Sequence, residues 1–381
     1  MKDVPMRLHM LRTSLPILTV TAVISSLAMI ATLGTAQAAT DRVTAQSSAV
    51  STANKGLAPY TGHPNAFPVT EKLKKKPMAG TTIDYLECGA PTCATAAADL
   101  KAPIAKLGEK LDVVSAGFSS STVQSAANTA LANHPAAVIV AGITLSDFGG
   151  TLSALEKAGI PVFGIGVTGG QKYGLTAVSG GQNGDVQAGQ LMADWVLVHK
   201  GTHANIVFFG APELSFSPYV WNAFSSQLKK ICPSCKATQS QLSVLTFGSS
   251  AAPTAVVSYL RANPAVNTTV FVAEEGAQGL PSALSAAGLS SITTFGFAPT
   301  SVNLADIKAG KLAGGLGIDL NLEAWVISDI IAKSLTHQKV PTAELRGVVE
   351  VLNKSNVTAS AIKNGWEGYP DVAQRFAKLW P

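Results

Sequence analysis

The sequence predicts an α/β protein of two similar Rossmann-like lobes, each a parallel sheet covered on both faces by helices. From Gly80 onward, apolar runs of four or five residues alternate with amphipathic stretches of helical period, the pattern of strands buried on both faces. These runs fall in two successive groups of about four βα units, parted by Gly180-Gly181-Gln182-Asn183-Gly184, which suits two sheets better than one very wide one. About 340 residues follow the leader, more than a single core usually supports.

The leader occupies 1–38. Lys2, Arg7 and Arg12 precede an apolar run from Leu15 to Leu33 that ends in Ala36-Gln37-Ala38, where small residues suit signal peptidase. An uncleaved anchor is the competing reading, opposed by Ser25, Ser26 and Thr32 and by the lack of a basic stop beyond the run. Cleavage after Ala38 is expected, with no Cys there to lipidate, so the mature chain should be secreted or periplasmic and free of a lipid anchor. Residues 39–79 are rich in Ser, Thr, Pro and Lys and read as an extended arm, pinned by Phe67, Pro68 and Val69.

Strands are expected at Thr82–Leu86, Lys110–Ser115, Ala137–Val140 and Pro161–Ile165, with helices at Ala94–Leu107, Thr122–Ala132 and Thr151–Ala158. Asn133-His134-Pro135 and Ala158-Gly159-Ile160-Pro161 punctuate the helix ends. The second series has expected strands Asn205–Phe209, Ser243–Phe247, Thr269–Val272 and Ile292–Gly296. Its helices are Val186–His199, Tyr219–Lys230, Ala252–Ala262 and Gly276–Ala286. A long helix, Leu322–Leu335, and a closing strand, Val348–Leu352, precede a tail (359–381) whose Trp366, Tyr369, Phe376 and Trp380 should pack it onto a lobe.

Charge and cysteine use narrow the function. The formal net charge is +5; the leader carries three basic residues and one acidic one, leaving a balance too small to favour nucleic acid. Lys72-Leu73-Lys74-Lys75-Lys76 reads as a solvated linker. The four cysteines form two local pairs, Cys88 with Cys93 and Cys232 with Cys235, which an oxidising compartment would allow to close. Sequence leaves three pairings open, and proximity favours the local ones. Cys232-Pro233-Ser234-Cys235 has redox spacing but follows a helix instead of opening one, so a structural clip is the better reading. No histidine lies near either pair, and no metal is expected.

Chemistry is hard to find. Gly164-Ile165-Gly166-Val167-Thr168-Gly169 has the letters of a dinucleotide loop but follows the fourth strand and opens no helix, so no cofactor is expected. There is no HExxH, GxSxG or GxxxxGK[ST], and the histidines sit at surface positions or helix ends. The loops after the strands are more promising. If two lobes face each other through these ends, closure would bury a small ligand between them.

The run TIDYLECGAPTCATAAADLKAPIAKLGEKLDVVSAGFSSSTVQSAANTALANHPAAVIVAG resembles the first lobe of type I periplasmic solute-binding proteins, the ribose-binding and LacI-related group. The likeness continues through KAGIPVFGIGV, FVAEEGAQGLPSALSAAGL and TTFGFAPTSVNLADIKAGKLAGG, covering roughly Gly80 to Leu352. It implies the periplasmic binding protein type I fold, a hinge of three crossings, reversible capture of a small solute without bond chemistry, and delivery to an ABC transporter permease. Crossings are expected near Val178–Gln182, Phe297–Pro299 and Lys339–Thr342. Residues 80–180 and 298–340 would then form the N-terminal lobe, and 181–297 with 341–358 the C-terminal lobe. A monomer is expected. The alternatives are a sugar-binding member of the same family, a sensory receptor ectodomain and an unrecognised secreted enzyme.

Departures from the family set the ligand expectation. Sugar-binding members commonly carry Asn and aromatics where this chain has Cys88-Gly89-Ala90-Pro91-Thr92-Cys93, Asn-Asp at Glu274-Glu275, and Gly-Phe-Asp at Gly296-Phe297-Ala298. Fewer charged acceptors, with Phe118, Phe216, Trp221 and Phe297 nearby, suit a less polar ligand, aromatic or alicyclic. Glu87 and Glu274 end expected strands and are the leading polar contacts, with Thr92, Ser119, Ser120, Thr144 and Asn183 completing the set. Glu275 and Asp185 are read as helix-end residues.

Overall fold

The computed structural model describes residues 47–64, 66–341 and 345–381; the expected leader and its cleavage site lie outside them. Residues 49–381 form one body.

The first sheet joins β1 (Thr82–Glu87), β2 (Lys110–Ser115), β3 (Ala137–Ala141), β4 (Val162–Ile165) and β5 (Ala177–Ser179) in the order β2-β1-β3-β4-β5. Every pairing is parallel. Central β3, Ala-Val-Ile-Val-Ala, is buried along its whole length, whereas edge strand β2 has exposed and half-buried residues and none buried. Helices α2 (Pro91–Leu107), α3 (Ser120–Asn133) and α4 (Thr151–Lys157) connect the strands. A helix whose turns cover 49–57, α1, precedes them in the chain.

The second sheet repeats the plan. Its strands β6 (Asn205–Gly210), β7 (Lys236–Gln241), β8 (Thr268–Phe271) and β9 (Thr293–Gly296) run parallel in the order β7-β6-β8-β9. Helix α5 (Gln182–Lys200) leads into β6, and α6 (Ser217–Ile231), α7 (Ala251–Ala262) and α8 (Leu280–Ala286) join the strands. In each sheet the order reverses beside the first strand, so the loops after β1 and β3, and after β6 and β8, diverge and leave a crevice at the carboxyl ends.

Two expected elements differ. Lys-Ala-Thr-Gln-Ser-Gln forms β7, an edge strand too polar to stand out, while the apolar run Ser243–Phe247 contains a 3-10 turn over Val244–Thr246. Val244 and Phe247 spend their apolar surface on the inter-lobe cavity instead of on a sheet. Helix α8 starts at Leu280, with Pro281 in its first turn, and a 3-10 turn fills Glu274–Ala277.

After β9 the chain stays with the second sheet. Phe297 bridges Leu316, β10 (Gly315–Ile318) pairs antiparallel with β11 (Val349–Leu352), and α9 (Ser301–Ala309) shares an apolar cluster with α11 (Ala359–Asn364). The boundary expected at 298 therefore moves: the second crossing follows Ile318 and leads into α10 (Leu320–Leu335), which packs on the first lobe through Leu322, Trp325, Ile327 and Ile331. The backbone pairs Ser179 with Leu345 in the first sheet and Ile318 with Val349 in the second pair of strands, placing the third crossing at 345–349. This lies past Lys339–Thr342, whose last residue is outside the described set.

The arm and the tail also pass from one lobe to the other. Ala53 and Leu57 of α1 enter the second lobe's core, whereas Phe67 and Leu73 join that of the first. Trp366 packs in the second lobe with Leu304 and Leu352, and Tyr369, Phe376 and Trp380 pack in the first. The last two lie in or beside α12 (Val372–Leu379). Asp319 holds this junction: Oδ1 accepts from Leu322 N–H at 2.8 Å, capping α10, and Oδ2 accepts from Gly368 N–H at 2.8 Å and Tyr369 N–H at 3.1 Å. Asp319→Ala leaves all three buried donors unmet and should cost about 2–4 kcal/mol, read as a fall in Tm in a circular dichroism melt. Asp319→Asn keeps one acceptor and should fall less.

Candidate ligand-binding site

The crevices of the two sheets face each other and enclose a cavity of about 120 Å³. That is room for several water molecules, more than a packing defect holds. The first lobe contributes Cys88, Ala90, Thr92, Cys93 and Gly142 from the loops after β1 and β3; the second contributes Leu214, Phe216, Val272, Ala273 and Glu275 from those after β6 and β8. Val244, Phe247, Phe297 and Ala298 complete the second-lobe wall. The walls are the switch points of both sheets, which is why residues so distant in sequence meet here.

The disulfide Cys88–Cys93 folds the first loop back on itself, and its residues form part of the wall. The second disulfide, Cys232–Cys235, sits between α6 and β7. Phe216 and Phe297 meet edge to face, with ring centroids 6.4 Å apart and planes at 84°, an arrangement their quadrupoles favour. Ala298 has φ +55°, a left-handed conformation that costs a non-glycine residue roughly 1–2 kcal/mol; its N–H donates to Leu316 O at 2.9 Å and keeps it there.

Among the described lining residues the polar side chains are Thr92, Asp185, Glu275 and Glu323. Asp185 Oδ2 accepts from Thr168 Oγ1 at 3.1 Å, a direct bond from the first turn of α5 to the loop after β4. Glu275 and Glu323 are 1% and 3% exposed, and Oε1 of each has no hydrogen-bond partner. Burial pushes Glu275 up to about 7, and burial together with the nearby Asp319 carboxyl pushes Glu323 up to about 8. An unmet buried acceptor costs about 1–3 kcal/mol, so each is a standing demand for a donor.

Glu323 lies where the three crossings converge. A Cβ on Gly180, in the first crossing, would stand 2.8 Å from Glu323 Oε1, and one on Gly347, in the third, 2.5 Å. Gly180 also has φ +65°, so glycine is required there by both conformation and space.

The residues expected from sequence divide. Thr92, Phe216 and Phe297 line the cavity, as do Cys88 and Cys93. Half-buried Phe118 packs against the cores of both lobes beside it. The others stand outside the lining. Glu87 is half-buried at the end of β1, where its carbonyl accepts from Ala116 and Gly117 N–H. Ser119 caps α3 by accepting from Thr122 N–H, and Ser120 donates to Asp147 Oδ1 at 3.0 Å. Thr144 precedes the 3-10 turn Leu145–Phe148, and Asn183 is exposed on α5.

Glu274 is a correction. Its carboxyl is wholly buried beside Gly296 and Gly315, away from the cavity, and burial raises its pKa well above the ordinary value. Its neighbour Glu275 takes the cavity position, because the 3-10 turn rotates successive side chains to different sides. Glu323, Leu214 and Phe247 were missed in the sequence. The run Ser243–Phe247 carried an apolar signal read as a strand, while Glu323 had no local signal beyond a carboxylate inside an apolar helix.

Among the described residues no helix is long and apolar enough to cross a membrane, and no group of three His, Cys, Asp or Glu is placed to hold a metal ion.

Two parallel α/β lobes closing on a shared cavity define the type I class of periplasmic binding protein. The chain belongs to the periplasmic binding protein domain family, whose model matches residues 89–339, a family of solute-binding domains and not of enzymes. Solved structures agree in fold. An ABC sugar transporter subunit from Rhodobacter sphaeroides has a TM-score of 0.65 at 18% identity, covering 73% of this chain and 99% of its own. An ABC transporter solute-binding protein from Burkholderia graminis, in complex with D-arabinose, has a TM-score of 0.66 at 16% identity, covering 76% and 99%. Another from Agrobacterium vitis, with bound allitol, has a TM-score of 0.63 at 20% identity, covering 79% and 99%. No curated protein matches the chain.

The raised carboxyls give the empty protein a pH dependence of definite sign. Glu275 and Glu323 lose their protons above pH 4.5 in the unfolded chain but only near 7 and 8 in the folded one, so over that interval unfolding releases protons and stability falls as pH rises. Tm of the ligand-free protein should drop between pH 5 and pH 8. The double variant Glu275→Gln, Glu323→Gln should drop less over the same range; an equal drop would place the titrating groups elsewhere.

Proposed function

We propose that the protein is an exported solute receptor, which captures a small organic molecule between its lobes and hands it to an ABC transporter permease. The observation that carries this reading is the cavity itself, built from the switch-point loops of both sheets and crossed by hinge segments at Gly180 and Gly347. A ligand touching both walls favours the closed arrangement by its differential contacts with it. The body of the ligand is less polar than a simple sugar, aromatic or alicyclic, because Leu214, Phe216, Val244, Phe247, Phe297 and Ile318 supply most of the wall. The ligands of the relatives, D-arabinose and allitol, favour a second reading, a sugar.

Mass spectrometry of material released by denaturing the freshly purified protein decides between them. An aromatic or alicyclic compound is expected, and a pentose or hexose would establish the second reading. Binding should be saturable, with a smaller radius of gyration by X-ray scattering and a higher Tm; if a broad solute screen changed neither, the receptor reading would fall. Phe216→Ala together with Phe297→Ala should weaken binding about tenfold or more while leaving the melting transition cooperative.

A further inference from the structure

From the polar side chains of the cavity we infer that the ligand is an organic amine, an apolar body carrying an ammonium group that the Glu275 and Glu323 carboxylates receive. The inference rests on the receptor reading and sharpens it. Both carboxyls line the cavity, both are almost wholly buried, and each has an oxygen without a partner. They come from opposite lobes, Glu275 after β8 and Glu323 on α10. A ligand whose donor meets one of these carboxyls and whose body rests on the opposite wall touches both lobes and rewards closure.

The surroundings select charge as well as hydrogen bonding. Among the described lining residues there is no Lys, Arg or His, so nothing there would balance a carboxylate or phosphate on the ligand. Phe216 and Phe297 form a right-angled corner, with Phe247 also in the wall; aromatic faces attract ammonium groups through the ring quadrupole. A sugar's ring of hydroxyls also calls for donors beside such acceptors, and the described lining has no amide or guanidinium group and one hydroxyl side chain, Thr92.

A second groove supports the same sign. It shares Thr92, Ala298, Ile318 and Leu320 with the cavity and continues it outward past Asp99, Asn321, Lys363 and Glu367. Asp99 and Glu367 outnumber its one basic residue, Lys363, and Asn321 Nδ2 donates to Glu367 Oε1 at 2.9 Å, fixing that carboxylate at the rim. An approach lined this way concentrates cations at its mouth.

The test is a calorimetric titration of the full mature chain with three compounds of one skeleton, benzylamine, benzyl alcohol and benzoate, alongside D-arabinose and allitol. Benzylamine should bind about tenfold or more tighter than benzyl alcohol, and benzoate should not bind. Glu275→Gln and Glu323→Gln keep the side-chain shape, and each should weaken benzylamine about tenfold while changing benzyl alcohol by less than about threefold. Melts of the unliganded variants report folding, and the wild-type comparison stands without them. If benzyl alcohol or a sugar bound as tightly as the amine, or the amine bound the Gln variants unchanged, the amine assignment would be overturned with the receptor reading intact. Failure of all five compounds to bind the wild-type protein would count against both.

Discussion

The fold depends on what happens at the first turn of α10. Asp319 follows β10, caps α10 and takes two tail amides, so a single carboxyl fixes the angle at which the chain leaves one lobe and enters the other. Glu323, one turn on, sits against the two crossings at Gly180 and Gly347. Their lack of a Cβ lets the three crossings converge on that side chain. The cost is a pair of carboxyls held above their ordinary titration range, Asp319 at about 6 and Glu323 at about 8. Proteins tolerate such groups where they are used, and Glu323 stands between the crossings and the cavity.

The same helix anchors the arm and the tail. Farther along α10, Asp329 pairs with Lys333 at 2.7 Å and accepts from Trp380 Nε1 at 2.8 Å, while Lys333 Nζ also donates to Glu71 O at 3.1 Å. Phe67 of the arm stacks edge-on against Tyr369 and Phe376 of the tail, Arg375 lies over Phe67 and Tyr369, and Tyr369 Oη donates to Ala66 O. On the other lobe, Tyr60 bonds Gln187 and His63 faces Glu350 at 3.5 Å. Arm and tail thus add two straps to the three crossings, and any rotation of the lobes must bend or slide five segments together.

Much of this architecture could be read from the chain, because apolar strand runs and helix periods are local properties. Ala137–Ala141 and Asn205–Gly210 announce themselves as buried strands whatever their neighbours. The failures have tertiary causes. Lys236–Gln241 is a strand because β6 offers it an edge, and Ser243–Phe247 is not one because its apolar side chains are needed in the cavity wall. The boundary after β9 moved because β11, more than thirty residues on, returns to pair with β10. Of the cavity residues, Thr92, Phe216 and Phe297 could be anticipated as strand-end loops; Glu275 and Glu323 could not, since choosing between Glu274 and Glu275 requires the rotation of a single 3-10 turn.

The sequence by itself therefore determined the α/β class of fold and the doubling of the lobes, and it favoured the local disulfide pairs that the structure closes. Both rest on periodicity and spacing within a few dozen residues, where backbone preference and burial speak most clearly. Tertiary structure alone decided which carboxyls enter the cavity, where the chain crosses between lobes and how arm and tail span them. Those outcomes turn on contacts between residues far apart in sequence, as when Gly180, Glu323 and Gly347 come to share one small volume, and no local pattern encodes such a meeting.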